Sequence, residues 1–243
     1  MKPTVAFLVN GFRDSPMGDR ARAFATRLAG QFDIKIAYRA PNRAAAIMRF
    51  VAFLSKTQPA VTYVFDMGYS GVVAASWHRG VSGNTLIIDT GDAIGALARS
   101  VGNRGIVGVT LTARLEDFGY MAADMIVVRG TYHREHLRRR GLRCEVIQDG
   151  VDLGMFGPHG EAPLREQLGL DATLTVGLVG SSVWSERLGT CYGWDLVEML
   201  HLLDDDRVHG IMIGDGSGIT RLRDRAAHLE IEHRLHFLGR VPF

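Results

Sequence analysis

The stretch Ala123-Asp124-Met125-Ile126-Val127-Val128-Arg129-Gly130 runs through a basic segment into Val146-Ile147-Gln148-Asp149-Gly150-Val151-Asp152 and then Phe156-Gly157-Pro158. Residues 125–128 are a short apolar run of the kind that forms a strand buried on both faces. Residues 132–140 read as a helix stopped by Gly141, and 144–147 as the next strand. Strand, helix and strand in so short a span make a crossover unit of a parallel sheet. The Gly- and Pro-bearing segment 150–163 that follows reads as a linker.

Working outward, the same alternation extends in both directions. Toward the N-terminus, Val- and Ile-rich runs at 4–9, 34–38, 61–65 and 86–89 predict strands, with helices at 19–29, 43–55, 71–78 and 111–123 and a helix stop at Gly30. Beyond the linker, strands are expected at 174–179, 208–214 and 234–238, with helices at 193–203 and 218–229. The fold class is therefore α/β, with two Rossmann-like doubly wound domains, 1–157 and 158–243, the second incomplete.

Composition narrows the function classes. Of 243 residues, 47% are hydrophobic and 22% charged, which suits a globular chain with a sizeable core. A net charge of +2 gives no reason to expect a nucleic-acid partner. Met1-Lys2-Pro3-Thr4 leads directly into a strand-like segment, so no signal peptide is read. No apolar run reaches the ~18 residues of a membrane span. Cys144 and Cys191 are too few for a disulfide framework and fit buried thiols in a reducing cytoplasm.

The residues quoted at the outset resemble the domain junction of the group 1, or family 4, retaining glycosyltransferases. There an "AD" helix end enters a buried strand, a short basic helix follows, and an "N-G-V-D … F-x-P" turn leads into the sugar-nucleotide domain. Asp149 stands where that pattern has Asn. The resemblance implies a GT-B arrangement in which donor and acceptor meet between the carboxyl ends of two sheets. It also implies hexosyl transfer from a nucleotide-diphosphate sugar to a hydroxyl acceptor (glycan, lipid or small molecule) with retention, and no metal or cofactor. Relatives in bacteria build surface polysaccharide or glycolipid at the inner face of the membrane, so a cytoplasmic location with peripheral membrane contact is expected. Val241-Pro242-Phe243 falls before the family's acidic motif, which implies a truncated transferase with little turnover.

The resemblance also places the site residues, each of which has a plainer alternative. Gly11 and Gly18, in the loop after the first strand, are expected near the donor, where Gly permits close backbone approach and a helix start suits phosphate. An ordinary strand-to-helix turn explains them equally well. Asp92, after the fourth strand, is the catalytic-site candidate as an acceptor for sugar hydroxyls; the alternative is an aspartate capping the next helix, which suits Asp89 slightly better than Asp92. Gly180 and Ser181 close the first strand of the second domain. Arg187 is the candidate cation for the departing diphosphate, against a solvated arginine paired to Glu186. Gly214, Asp215 and Gly216 form a turn able to curve around a nucleotide, and Gly239 and Val241 are expected beside the base.

Other constellations carry less. Asp204-Asp205-Asp206 lies at the wrong end of a strand for a metal triplet, and His133 and His136 lack the zinc spacing H-E-x-x-H. The helix at 43–56 interleaves Arg43, Arg49 and Lys56 with apolar residues and reads either as an interfacial helix or as a core-packed one. Two rival functions remain: a catalytically silent nucleotide-sugar-binding module, and a nucleotide-sugar epimerase of the same fold.

Overall fold

In a computed structural model, which describes residues 2–102, 104–151, 153 and 163–241, the chain divides into two compact units. One comprises Met1–Ala98 and Ile106–Val151, the other Arg99–Gly105 and Asp152–Phe243. The sequence boundary at 157/158 and the Phe156-Gly157-Pro158 motif lie outside the described residues.

The first unit is built on β1 (Thr4–Val9), β2 (Asp33–Tyr38), β3 (Val61–Phe65), β4 (Thr85–Thr90), β5 (Met125–Val128) and β6 (Cys144–Val146), paired in parallel in the order β2-β1-β3-β4-β5-β6. Period-two alternation sends β1 to both faces. Val5, Phe7 and Val9 join Tyr63, Phe65 and Phe24 on one side, while Ala6 and Leu8 meet Val64, Phe50 and Leu54 on the other. Burying Phe7, Phe65 and Phe50 completely contributes about 1.5–3 kcal/mol each. The crossovers are α1 (Pro16–Leu28), α2 (Arg43–Thr57), α3 (Tyr69–Ser82), α4 (Ile94–Val101), α5 (Ile106–Ala122) and α6 (Thr131–Arg139). Helix α1 starts where Ser15 accepts the Gly18 amide and Pro16 occupies the first turn. Its C-cap is Ala29, in right-handed geometry, and Gly30 follows directly where the stop is expected, without a positive φ. Gly141 does follow α6 with φ of 77°.

Two departures from the sequence reading concern helices. Helix α4 lies where the sequence pattern gives no helix, and α5 starts at Ile106 rather than at 111. In α2, Ala46, Phe50 and Leu54 recur every four residues and are buried, so the apolar stripe belongs to the core instead of to a membrane surface. No helix among the described residues is long and apolar enough to cross a membrane.

The second unit contains α7 (Pro163–Gln167), β7 (Leu174–Val179), α8 (Trp194–Leu203), β8 (Val208–Ile213), α9 (Ile219–His228) and β9 (Leu235–Gly239). Its strands are parallel in the order β7-β8-β9. Leu196, Leu200, Met212, Leu222 and Leu235 form its core. Strand β7 pairs with β8 alone among the described residues, and Leu174 and Val179 at its ends are 65% and 70% exposed.

Candidate functional site

Each unit gathers its polar and glycine-bearing residues at the carboxyl ends of its parallel strands, where diverging connections leave room for ligands. In the first unit the dominant feature is a closed ring of charge. Asp89, fully buried at the end of β4, accepts Arg20 Nε at 2.9 Å, Arg129 NH1 at 2.8 Å and the Tyr63 hydroxyl at 2.8 Å. Asp149 completes the ring on the outer side, taking Arg20 NH1 at 2.7 Å and Arg129 Nε at 2.8 Å. Arg20 also donates to the Ile147 and Gln148 carbonyls at 2.9 and 3.2 Å, which fastens the chain just after β6. Asp89 is thus a buried counter-ion and not a helix cap. Burial, followed by the Asp89 charge, pushes the Tyr63 phenol well above its usual range.

Around this ring sit the first unit's predicted residues. Asp92 is exposed, and its carbonyl accepts the Thr90 hydroxyl at 2.7 Å, which shapes the turn into α4. Gly91 lies against the Arg129 guanidinium, where a Cβ would come within 3.3 Å. Asp66 was not foreseen as a site residue. It follows β3 with φ of 73°, unusual for a non-glycine, and its amide donates to the Asp89 carbonyl at 2.8 Å. Burial raises its carboxyl pKa, and Asp92 raises it further. Gly18 is buried under the loop carbonyls of Phe12 and Arg13, and at Gly11 a Cβ would strike the Ser15 hydroxyl. Both glycines let the 10–19 loop fold tightly onto the start of α1.

The second unit brings its predicted glycines together. The Gly180 amide donates to the Ile213 carbonyl at 2.9 Å and the Gly214 amide to the Gly239 carbonyl at 2.8 Å, so the ends of β7, β8 and β9 are stitched side by side. Gly214 has φ of 130°, and a Cβ there would fall 1.8 Å from the Gly180 carbonyl oxygen. Gly216, with φ of 155°, abuts Ser182 in the same way, while the Ser182 amide donates to the Asp215 carbonyl at 3.0 Å. The Asp215 carboxylate caps the Gly216 amide at 2.7 Å. Ser181 and Val241 are exposed.

Arg187 does not pair with Glu186, whose ionic partner is Arg221 at 3.8 Å. It is exposed, and its NH1 donates to the Arg99 carbonyl at 2.8 Å. Beside it, the buried Ser185 hydroxyl shares its single proton between the Ser100 and Val101 carbonyls, at 3.2 and 3.1 Å. Residues 99–101 belong to the second unit, so these bonds satisfy backbone acceptors within it. The post-β7 loop also carries Trp184, with the Arg221 guanidinium 4.3 Å from its ring centroid and Trp194 at 5.6 Å. No group of three or more His, Cys, Asp or Glu is placed to hold a metal among the described residues.

No family model and no curated protein matches the sequence. Solved structures do match the fold. HepE from Anabaena in complex with UDP-glucose superposes with a TM-score of 0.67 at 17% identity, covering 99% of this chain and 70% of that one. Sucrose-phosphate synthase from Thermosynechococcus elongatus reaches 0.74 at 13% identity, with 99% and 71% coverage. A Listeria monocytogenes protein assigned as a UDP-N-acetylglucosamine 2-epimerase reaches 0.63 at 12% identity, with 99% and 70% coverage. The fold class is GT-B. It consists of two Rossmann-like α/β units in tandem, as the strand pattern predicts, the second with three strands among the described residues.

Proposed function

We propose that the protein transfers a sugar from a nucleotide-diphosphate donor to a hydroxyl acceptor, as a hexosyltransferase of the retaining type working without a metal. The observation that carries this reading is the stitched glycine edge of the second unit. At Gly180, Gly214 and Gly216 the missing Cβ makes room for the Tyr192 ring, the Gly180 carbonyl and the Ser182 backbone, so the strand ends close into one compact edge, and at Gly239 the backbone faces open space. Such an edge at the carboxyl end of a parallel sheet suits close approach of a nucleotide. The fold it shares with a UDP-glucose complex supports the donor class. In this scheme Arg187 turns from the Arg99 carbonyl toward the leaving diphosphate. Its other N–H groups make no hydrogen bond among the described residues. Asp92 accepts hydrogen bonds from sugar hydroxyls, and Asp66 lies close enough to influence the same region electrostatically.

A role in surface polysaccharide or glycolipid synthesis at the cytoplasmic face of a membrane completes the proposal; it comes from the family resemblance. The epimerase reading is kept as a second one because a protein assigned to that activity shares the fold. Calorimetric titration with uridine, guanosine and adenosine diphosphates and their sugars identifies the donor. Release of free nucleoside diphosphate, with the anomeric configuration of the product read by NMR, then tests transfer and retention. Interconversion of the sugar without nucleotide release would favour the epimerase, and binding without either reaction would leave a silent module.

A further inference from the structure

His133 was set aside on sequence because it lacks a zinc spacing, and folding gives it a different context. Helix α6 begins directly after β5 and Arg129-Gly130, so His133 lies in its first turn at the carboxyl end of the sheet. Its Nε2 is 3.2 Å from the Tyr120 hydroxyl, which is 3.1 Å from Glu116 Oε1. The other Glu116 oxygen accepts the Gly95 amide at 3.1 Å, in the first turn of α4 and three residues after Asp92. Glu116 and Tyr120 are 9% and 2% exposed, and the Tyr120 ring meets the His133 ring edge-on at 6.4 Å.

Hydrogen-bond bookkeeping along this chain fixes the tautomer. An ionised carboxylate only accepts, so Tyr120 gives Glu116 its single proton. Burial, then the Glu116 charge, holds the phenol pKa far above its ordinary value, so that proton stays on the oxygen. Toward His133 the Tyr120 oxygen is therefore an acceptor, and Nε2 carries the imidazole hydrogen. That leaves a lone pair on Nδ1, which has no hydrogen-bond partner among the described residues. Burial lowers the His133 pKa, which keeps the ring neutral; Glu116 from α5 and Asp92 from the β4–α4 turn act against that, while His136 on α6 reinforces it.

We propose that His133 Nδ1 accepts a hydrogen bond from a hydroxyl of a carbohydrate held by the first unit, with Tyr120 and Glu116 as positioning residues that keep the imidazole in the competent tautomer. This rests on the glycosyl-transfer reading, since it requires a hydroxyl-rich substrate. Because the same relay holds the amide of Gly95, it also ties the Asp92 turn to the orientation of the His133 ring.

The test uses the full chain labelled with 15N-histidine, the His133 signals being assigned by their loss in His133→Phe. Wild type should show hydrogen on Nε2 alone, and Tyr120→Phe, which leaves His133 in place, should show both tautomers. UDP-glucose and methyl α-glucopyranoside, the latter with and without UDP, are the probes, and calorimetry first establishes which of them bind. A probe that binds should shift the Nδ1 resonance, whereas UDP alone should leave it in place. A response to UDP-glucose identifies the donor's sugar as the source of the hydroxyl, and a response to the glucoside an acceptor. His133→Phe should weaken the responding probe about tenfold, the worth of one hydrogen bond, with UDP binding unchanged. Hydrogen on Nδ1 in wild type, or a probe that binds and leaves Nδ1 unmoved, overturns the assignment. If no probe binds, the transfer reading fails, and this assignment fails with it.

Discussion

Replacing Asp89 with asparagine tests the charge ring at its centre. The carboxylate has no exposure, and it faces Arg20 and Arg129, whose side chains are 6% and 15% exposed. Asparagine keeps one acceptor oxygen but turns an amide N–H toward a guanidinium N–H, and it leaves the two cations with Asp149 alone. Breaking a buried pair by removing one partner costs about 3–5 kcal/mol. With a urea dependence of about 2 kcal/mol per molar for a unit of this size, the first unit's midpoint should fall by about 1.5–2.5 M. Because the chain has two units, a single global curve is unsuitable. The assay is therefore pulsed hydrogen exchange in a urea series, comparing peptides over β1 and β3 with peptides over β8 as an internal reference. Glu145→Gln serves as the surface control: Glu145 pairs with Arg138 where the two side chains are 55% and 48% exposed, and its loss should cost about 0–1 kcal/mol. If Asp89→Asn shifts β1 and β3 no more than this control does, the ring is not a stabilising element and the reasoning fails.

Arg187→Ala should weaken UDP binding by about 1.5–3 kcal/mol while leaving uridine binding intact in the same calorimeter; equal losses for both would remove the diphosphate role. Gly214→Ala places a Cβ 1.8 Å from the Gly180 carbonyl at a φ of 130°, so exchange protection of β7 and β9 should collapse, whereas Gly30→Ala, which meets nothing within 4 Å, should leave it unchanged. Acidification should destabilise the fold through two half-buried imidazoles. Burial lowers the folded pKa of His133, and burial followed by His209 lowers that of His236. Between each folded pKa and the ordinary value near 6.5 the unfolded chain thus binds more protons, stability rises with pH, and it levels off above about pH 7. The double variant His133→Gln, His236→Gln should flatten that slope in a pH series of urea midpoints, and an unchanged slope would refute the account.

Strands were the legible part of this chain because they are short apolar runs, most of them rich in Val and Ile and several closed by Gly, Asp or Asn, a local signal that needs no knowledge of neighbours. The glycine turns of the second unit were legible for the same reason: Gly214 and Gly216 sit where a strand must bend back sharply. The charge ring was not. Arg20, Asp89, Arg129 and Asp149 are scattered along the chain and meet only because β1, β4, β5 and β6 all end on one edge of a parallel sheet, so Asp89 alone looks like a cap. Helix α4 has no start or stop signal in the sequence, and no local pattern announces the bond from Arg187 to the Arg99 carbonyl. The hydrogen-bond relay to His133 has no local signal either, because its partners Tyr120 and Glu116 belong to the preceding helix.

The bond from Arg20 to the stretch after β6 bears on how the protein is made. Arg20 NH2 and the Ile147 carbonyl are separated by 127 positions, and Arg20 NH1 and the Asp149 carboxylate by 129. During synthesis the guanidinium of the first helix therefore waits until nearly the whole first unit has left the ribosome before its outer partners exist. Arg20 first has Asp89 to itself, and from the emergence of Arg129 until that of Asp149 two arginines share the single carboxylate of Asp89, so that the nascent domain carries a surplus positive charge near its interior. Contacts this distant along the chain also slow the search for the native pairing. A nascent chain arrested before residue 147 should accordingly be loose and protease-sensitive around α1, and should tighten abruptly once Asp149 emerges.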